Sequence, residues 1–173
     1  VPQKETTPFY PRSPYGTSKL YAHWMTQNYR ESHNIFACSG ILFNHESPLR
    51  GLEFVTRKIT EGVARYNQGE NNCIELGNLN ASRDWGYAPE FVDGMYRMMQ
   101  HETPDNFVLA TNRAVSVRRF AELAFSVIGI EVIWQGEGIQ EKGIDKRSGK
   151  EIVRISEKHF RLSEVDALIG NPI

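Results

Sequence analysis

Residues 13–43 read SPYGTSKLYAHWMTQNYRESHNIFACSGILF, and this stretch decides the fold. Ser13 before Pro14 is a helix start, with Ser as cap and Pro as the first helical residue. Apolar spacing predicts a helix to about Glu31, closed by the polar Ser32-His33-Asn34. Ile35–Phe43 is a short, partly β-branched apolar run and reads as a buried strand. Residues four apart stand over one another on a helix, so the Lys19 ammonium lies near the Tyr15 phenol. A nearby cation favours the phenolate, the form in which a Tyr serves as a base. Leu20, Tyr21, Trp24 and Met25 fall on the opposite side as an apolar stripe. Among seven Tyr and seven Lys, one such pair also arises by chance.

The same alternation continues outward. A helix is expected over Glu53–Tyr66, with Val55, Ile59, Val63 and Tyr66 on one face, after a polar loop over Asn44–Gly51. Cys73–Leu76 reads as a short strand, and Pro89 opens a third helix facing inward through Phe91, Val92, Met95, Met98 and Met99. Asn106–Ala110 reads as a strand, and Ser116 caps a fourth helix. Glu131–Trp134 and Glu151–Ile155 read as strands around a mobile, glycine-rich loop, Gln135–Lys150, and a last short helix starts near Ser163. Strand and helix in turn make an α/β fold.

Composition sets limits. The 173 residues are 40% hydrophobic and 24% charged, with twenty basic against twenty-one acidic residues. That near-neutral balance argues against a nucleic-acid partner or an anionic membrane surface held by bulk charge. No apolar run reaches the ~18–20 residues of a membrane span. Cys38 and Cys73 are too few for a disulfide scaffold or a zinc cage, and read as reduced thiols of a cytoplasmic protein. Thirteen of the basic residues are Arg, whose planar fork suits phosphate and carboxylate.

Three further clusters carry polar chemistry. Asn44-His45-Glu46-Ser47-Pro48-Leu49-Arg50 leaves the carboxyl end of a strand, where α/β proteins bind ligands; a polar surface loop with a Pro turn is the plain alternative. Asn78 and Arg83 flank a second segment, in which Arg83-Asp84 reads equally as an ion pair and Trp85 as core. Arg161 and Glu164 stand at the last helix start. No second His or Cys has metal-ligand spacing to His45. No Gly-x-Gly-x-x-Gly turn, nucleophile elbow or phosphate loop is present.

VPQKETTPFYPRSPYGTSKLYAHWMTQNYRE (1–31), GILFNHESPLRG (40–51), FVTRKIT (54–60), LGNLNASRDWGYAPEFV (76–92), GEGIQEKG (136–143) and FRLSEVD (160–166) together resemble the GDP-mannose 4,6-dehydratase family. This is a lyase branch of the extended short-chain dehydrogenase/reductases. The resemblance implies a partial Rossmann-like fold, with 1–45 the end of an NADP-binding domain. It makes 46–173 mainly a nucleotide-sugar domain, and a segment near 84–101 returns to the first. It implies that Tyr15 is the catalytic base and that Lys19 binds the cofactor ribose while tuning the Tyr. His45 and Arg50 fall on NADP contacts, and Asn44, Lys58, Asn78, Arg83, Arg161 and Glu164 on or near positions that hold the GDP half of GDP-mannose. The implied reaction oxidises C4 of the mannosyl ring, loses water across C5/C6 and returns hydride to C6, giving GDP-4-keto-6-deoxymannose.

The family's glycine-rich turn and its proton-transferring Thr and Glu have no counterpart in these residues. The chain therefore reads as a C-terminal piece, inactive by itself, of a homo-oligomeric parent (dimer or tetramer) whose Tyr-bearing helix pairs across a two-fold axis. Leu49 stands where the family often has Arg, and Leu162 where it often has Pro. A dehydratase or epimerase of another nucleotide sugar, or a non-catalytic nucleotide-sugar-binding or assembly module, are the alternative readings.

Overall fold

A computed structural model of the chain describes residues 2–160, 165 and 167–173. The chain divides into two compact units, Val1–Ser47 with Arg83–Ala114 and Ala167–Ile173, and Pro48–Ser82 with Val115–Asp166. Arg161, Glu164 and the helix expected near Ser163 lie outside the described residues.

In the first unit, helix α1 (Pro14–His33) starts where Ser13 predicts. The Ser13 hydroxyl accepts from Gly16 N at 3.0 Å, Pro14 takes the first turn, and Asn34 ends the helix in the left-handed region at φ 51°. Strand β1 (Ser39–Leu42) is shorter than the apolar run. The Arg30 guanidinium takes the Ala37 carbonyl at 2.7 Å, and Ile35 and Phe36 stay exposed, so the run joins a sheet only from Ser39. Asn44–Glu46 is a strand, β2, rather than loop. Its ladder partner supplies what the polar side chains conceal: β2 pairs in parallel with β4 (Ser82–Tyr87), setting Asn44 opposite Trp85 and His45 opposite Gly86.

The second unit begins with helix α2 (Val55–Asn67), whose Thr56, Ile59 and Val63 are buried, followed by β3 (Ile74–Leu76). Back in the first unit, helix α3 (Ala88–Met98) follows β4 and buries only Phe91 and Met98 of its expected face. Val92, Met95 and Met99 are exposed. Strand β5 (Asn106–Leu109) pairs in parallel with β1 in a two-stranded sheet. Strand β6 (Ala114–Ser116) leads into helix α4 (Val117–Ser126), where the Ser116 hydroxyl accepts from Arg119 N at 3.1 Å.

Within the expected loop Gln135–Lys150 the structure places a 3-10 turn (Gly138–Gln140) and one strand, Lys142–Asp145. Strand β7 (Val132–Gln135) pairs antiparallel with β8 (Lys142–Asp145), and β8 pairs antiparallel with β9 (Glu151–Ile155). Strand β9 in turn lies parallel to β3. Gly143, read as a loop glycine, packs within 3.1 Å of where Val153, Trp134 and Val132 would meet a Cβ, so its missing side chain allows the strands to close. Strand β10 (Ala167–Leu168) adds to β4, and Gln3 bridges the backbone around Gly170. Among the described residues twelve of the fifteen buried apolar ones belong to the second unit, which leaves the first with a thin core of Phe91, Met98 and Val108.

Candidate active site

The N-terminal turn of α1 holds the first pair. Lys19 Nζ is 5.4 Å from the centre of the Tyr15 ring, and Tyr15 is 70% exposed, so the phenol is not core. Two contacts fix how α1 lies on β1. Arg30 reaches Ala37, and His23 Nδ1 meets Ser39 Oγ at 2.8 Å, so the strand runs back along the helix. Eight residues of helix from His23 to Tyr15 span ~12 Å, and four of strand from Ser39 to Phe43 span ~13 Å. Tyr15 and the Phe43–Asn44 exit therefore lie at the same end of the pair.

At that exit the chain positions His45. Its Nδ1–H donates to the Phe43 carbonyl at 2.9 Å, which leaves Nε2 as an acceptor. The imidazole stacks on Phe91 at 5.0 Å and 27°. Gly86, opposite His45, carries no side chain because a Cβ there would overlap the Phe91 ring. Behind them Asp84, fully buried, accepts from Thr111 N at 2.9 Å, Thr111 Oγ1 at 2.7 Å, Asn112 N at 3.0 Å and Gly170 N at 3.2 Å. The spacing of Arg83 and Asp84 invited an ion-pair reading, but the carboxylate ties three segments together. Arg83 and Trp85 alternate with it along β4, both half-buried.

The second unit carries Arg50, Lys58 and Asn78. The Arg50 guanidinium lies 3.5 Å from the centre of the Phe54 ring, ahead of α2. Lys58 Nζ donates to His159 Nε2 at 2.8 Å, and burial lowers its pKa from the ordinary lysine value while Glu75 opposes the shift. Asn78 Oδ1 accepts from Asn80 N at 2.9 Å, so the side chain shapes its own turn. Arg118 holds that turn from α4. It donates to Asn80 Oδ1 at 3.1 Å, forks onto Glu141 and lies 4.7 Å from the centre of the Trp134 ring. His159 and Arg118 escaped the sequence reading, because a lone His after a strand and an Arg inside a helix carry no spacing signal. Among the described residues no group of three or more His, Cys, Asp or Glu could hold a metal ion, and no helix is long and apolar enough to cross a membrane.

The family profile described as GDP-mannose 4,6 dehydratase matches residues 1–173. The chain is 54% identical over 172 residues to GDP-mannose 4,6 dehydratase 2 of Caenorhabditis elegans, covering 99% of this chain and 45% of that protein. It is 52% identical over 171 residues to human GDP-mannose 4,6 dehydratase, covering 99% and 46%. The chain thus spans about half the length of the curated relatives it matches. The fold is similar to that of RMD from Pseudomonas aeruginosa complexed with NADPH, with a TM-score of 0.78 at 19% identity, covering 99% of this chain and 51% of that one. It is also similar to dTDP-glucose 4,6-dehydratase from Bacillus anthracis in complex with NAD, with a TM-score of 0.76 at 15% identity, covering 99% and 47%. With a profile matched from end to end and relatives at half identity, the chain belongs to the GDP-mannose 4,6-dehydratase family.

Proposed function

We propose that the full-length protein is an NADP-dependent GDP-mannose 4,6-dehydratase and that this chain supplies its Tyr–Lys pair and much of its nucleotide-sugar pocket. The observation that carries this reading is the exposed Tyr15 phenol with the Lys19 ammonium one turn away, at the end of the α1–β1 pair where Asn44 and His45 emerge. Tyr15 takes the proton of the C4 hydroxyl, and Lys19 steadies the charge that the phenol acquires.

The residues fit a nicotinamide dinucleotide. Lys19 is a donor for ribose hydroxyls, the Nε2 acceptor of His45 suits a carboxamide N–H, and the Arg50 fork suits a phosphate. When bound, NADP would accept hydride from C4 and return it to C6 after water is lost across C5/C6, giving GDP-4-keto-6-deoxymannose and water with no net cofactor consumed. Asn44, Lys58, Asn78, Arg83, Arg161 and Glu164 hold the GDP half. In this reading 1–45 and a segment near 84–101 serve the cofactor, and the rest of 46–173 mainly the nucleotide sugar.

The exposed Tyr21 and Trp24 on α1 support a homo-oligomer built on that helix, and the free, half-buried thiols of Cys38 and Cys73 suit a cytoplasmic enzyme. The test is turnover of GDP-mannose beside UDP- and dTDP-sugars by the full-length protein with NADP. Formation of the 4-keto-6-deoxy product from GDP-mannose alone is expected. Preference for a uridine sugar refutes the substrate, and binding of GDP without turnover favours a non-catalytic module.

A further inference from the structure

Strands β3 and β9 run parallel, so their carboxyl ends lie side by side. Segments leaving such ends are where α/β proteins place ligands. Ser156 N donates to the Leu76 carbonyl at 2.8 Å, which keeps the two exits paired past the ladder. Directly beyond, the His159 backbone carbonyl closes over Gly77, where any Cβ would collide with it. Asn78 and His159 thus stem from adjacent exits, and Lys58 on α2 reaches the imidazole at 2.8 Å.

The donor inventory of this group is one-sided. An ammonium has three N–H groups and accepts nothing. By donating one of them to Nε2, Lys58 uses the single acceptor of the neutral imidazole and leaves its hydrogen on Nδ1. Among the described residues two ammonium hydrogens and one imidazole N–H remain, donors only, about a positive charge that Glu75 on β3 attracts from one side. Sugar hydroxyls both donate and accept, and gain less from such a surface than an acceptor-only group does. A phosphate accepts alone and is negative.

We propose that His159 and Lys58 form a paired binding site for the diphosphate of the nucleotide sugar, with His159 a substrate-binding residue in its own right. This rests on the nucleotide-sugar reading above. Calorimetric titration of GDP into the full-length protein, with Lys58→Met, His159→Phe, His159→Gln and the Lys58→Met/His159→Phe double variant, tests it. His159→Phe keeps a ring and loses the Nδ1–H; it is expected to weaken GDP about tenfold, the scale of one charge-assisted hydrogen bond. Its KM for GDP-mannose rises in step while kcat stays within about threefold. His159→Gln restores an N–H and recovers most of the affinity, and the double variant loses less than the product of the single losses. Normal GDP affinity in His159→Phe, with Lys58→Met weakened, overturns this site alone. Absence of GDP binding by the unaltered protein overturns it together with the nucleotide-sugar reading.

Discussion

Lys19 stands one helical turn beyond Tyr15, its ammonium 5.4 Å from the centre of the phenol ring, on a face of α1 that the fold leaves open. Ser13 and Pro14 fix where the helix begins, and the four-residue spacing does the rest. Tyr15→Phe removes one hydroxyl from an exposed position and leaves packing untouched. In the full-length protein kcat is expected to fall by on the order of 10²–10⁴-fold, the usual worth of a general base. The affinity for GDP-mannose, measured by calorimetry, should stay unchanged. Lys19→Met is expected to lower kcat and weaken NADP together. A Tyr15→Phe enzyme that keeps a tenth of its rate removes Tyr15 from the chemistry.

Asp84 organises the first unit. Its carboxylate receives four hydrogen bonds from Thr111, Asn112 and Gly170 with no exposure to water. Asn112 sits at φ 58°, a left-handed backbone whose N–H the carboxylate engages. Asp84→Ala strands these donors in a buried place, at about 1–3 kcal/mol for each one left unsatisfied. Urea unfolding is expected to show a loss of about 3 kcal/mol or more, with Asp84→Asn milder because it keeps one acceptor oxygen. A change below about 0.5 kcal/mol, the range of ordinary surface substitutions, would count against this hub.

What the sequence disclosed depended on how local the signal was. The start of α1 follows from Ser13-Pro14, and the buried stripe of α2 from the spacing of Ile59 and Val63, because both are written within a few turns of chain. Strand β2 was hidden. Its residues Asn44-His45-Glu46 are polar, and only the distant partner Trp85-Gly86-Tyr87 makes them a strand. Strand β8 was hidden for a related reason. Gly143 marks close packing against Trp134 and Val153, although glycine in a charged segment reads as flexibility. The Tyr15–Lys19 pair was legible because it lies on one helix. The meeting of Lys58 with His159, 101 positions apart, was not.

Acid should loosen the second unit. Asp145, 2% exposed, accepts from Ser148 Oγ at 2.6 Å, Arg147 N at 2.9 Å and Tyr66 Oη at 3.1 Å. The Ser148 hydroxyl chiefly holds its carboxyl below the ordinary aspartate value, with burial opposing. Hydrogen bonding to Lys142 does the same for Glu151, again against burial. Both carboxyls are more acidic folded than unfolded, so their stabilisation is complete above the unfolded carboxylate pKa values of about 4. It drains away as pH falls through the folded ones. Thermal melts of the full-length protein from pH 7 down to pH 3 should show Tm dropping below about pH 4. Asp145→Asn should lower Tm at neutral pH and flatten part of the acid slope, and an unchanged slope would acquit Asp145.

The 173-residue chain by itself is expected to melt broadly and to bind NADP weakly. Among the described residues β1 has a single ladder partner, β5, and none of the twenty residues of α1 is buried. A strand with an open edge and a helix with no fully buried residue leave the first unit short of the apolar burial that sustains cooperative unfolding. Calorimetric melting of this chain should give a weak, broad transition beside that of the full-length protein. One sharp transition with full-strength NADP binding would refute the expectation.

The homo-oligomer proposed above puts its subunit contact on the apolar side of α1. Tyr21 is 67% exposed and Trp24 54%, one turn apart, with Leu20 and Met25 half-buried beside them. Large aromatic side chains dominate the energetics of protein interfaces, and a two-fold axis brings the same patch together from both subunits. Trp24→Glu places a carboxylate at the centre of such a contact twice over, so sedimentation of the full-length variant should shift to a smaller species. Val92, Met95, Tyr96 and Met99 on α3 form a second exposed stripe at helical spacing, which makes Tyr96→Glu the discriminating control. If Tyr96→Glu dissociates the protein and Trp24→Glu does not, the subunits meet on α3 and the Tyr-bearing helix is left to the active site alone.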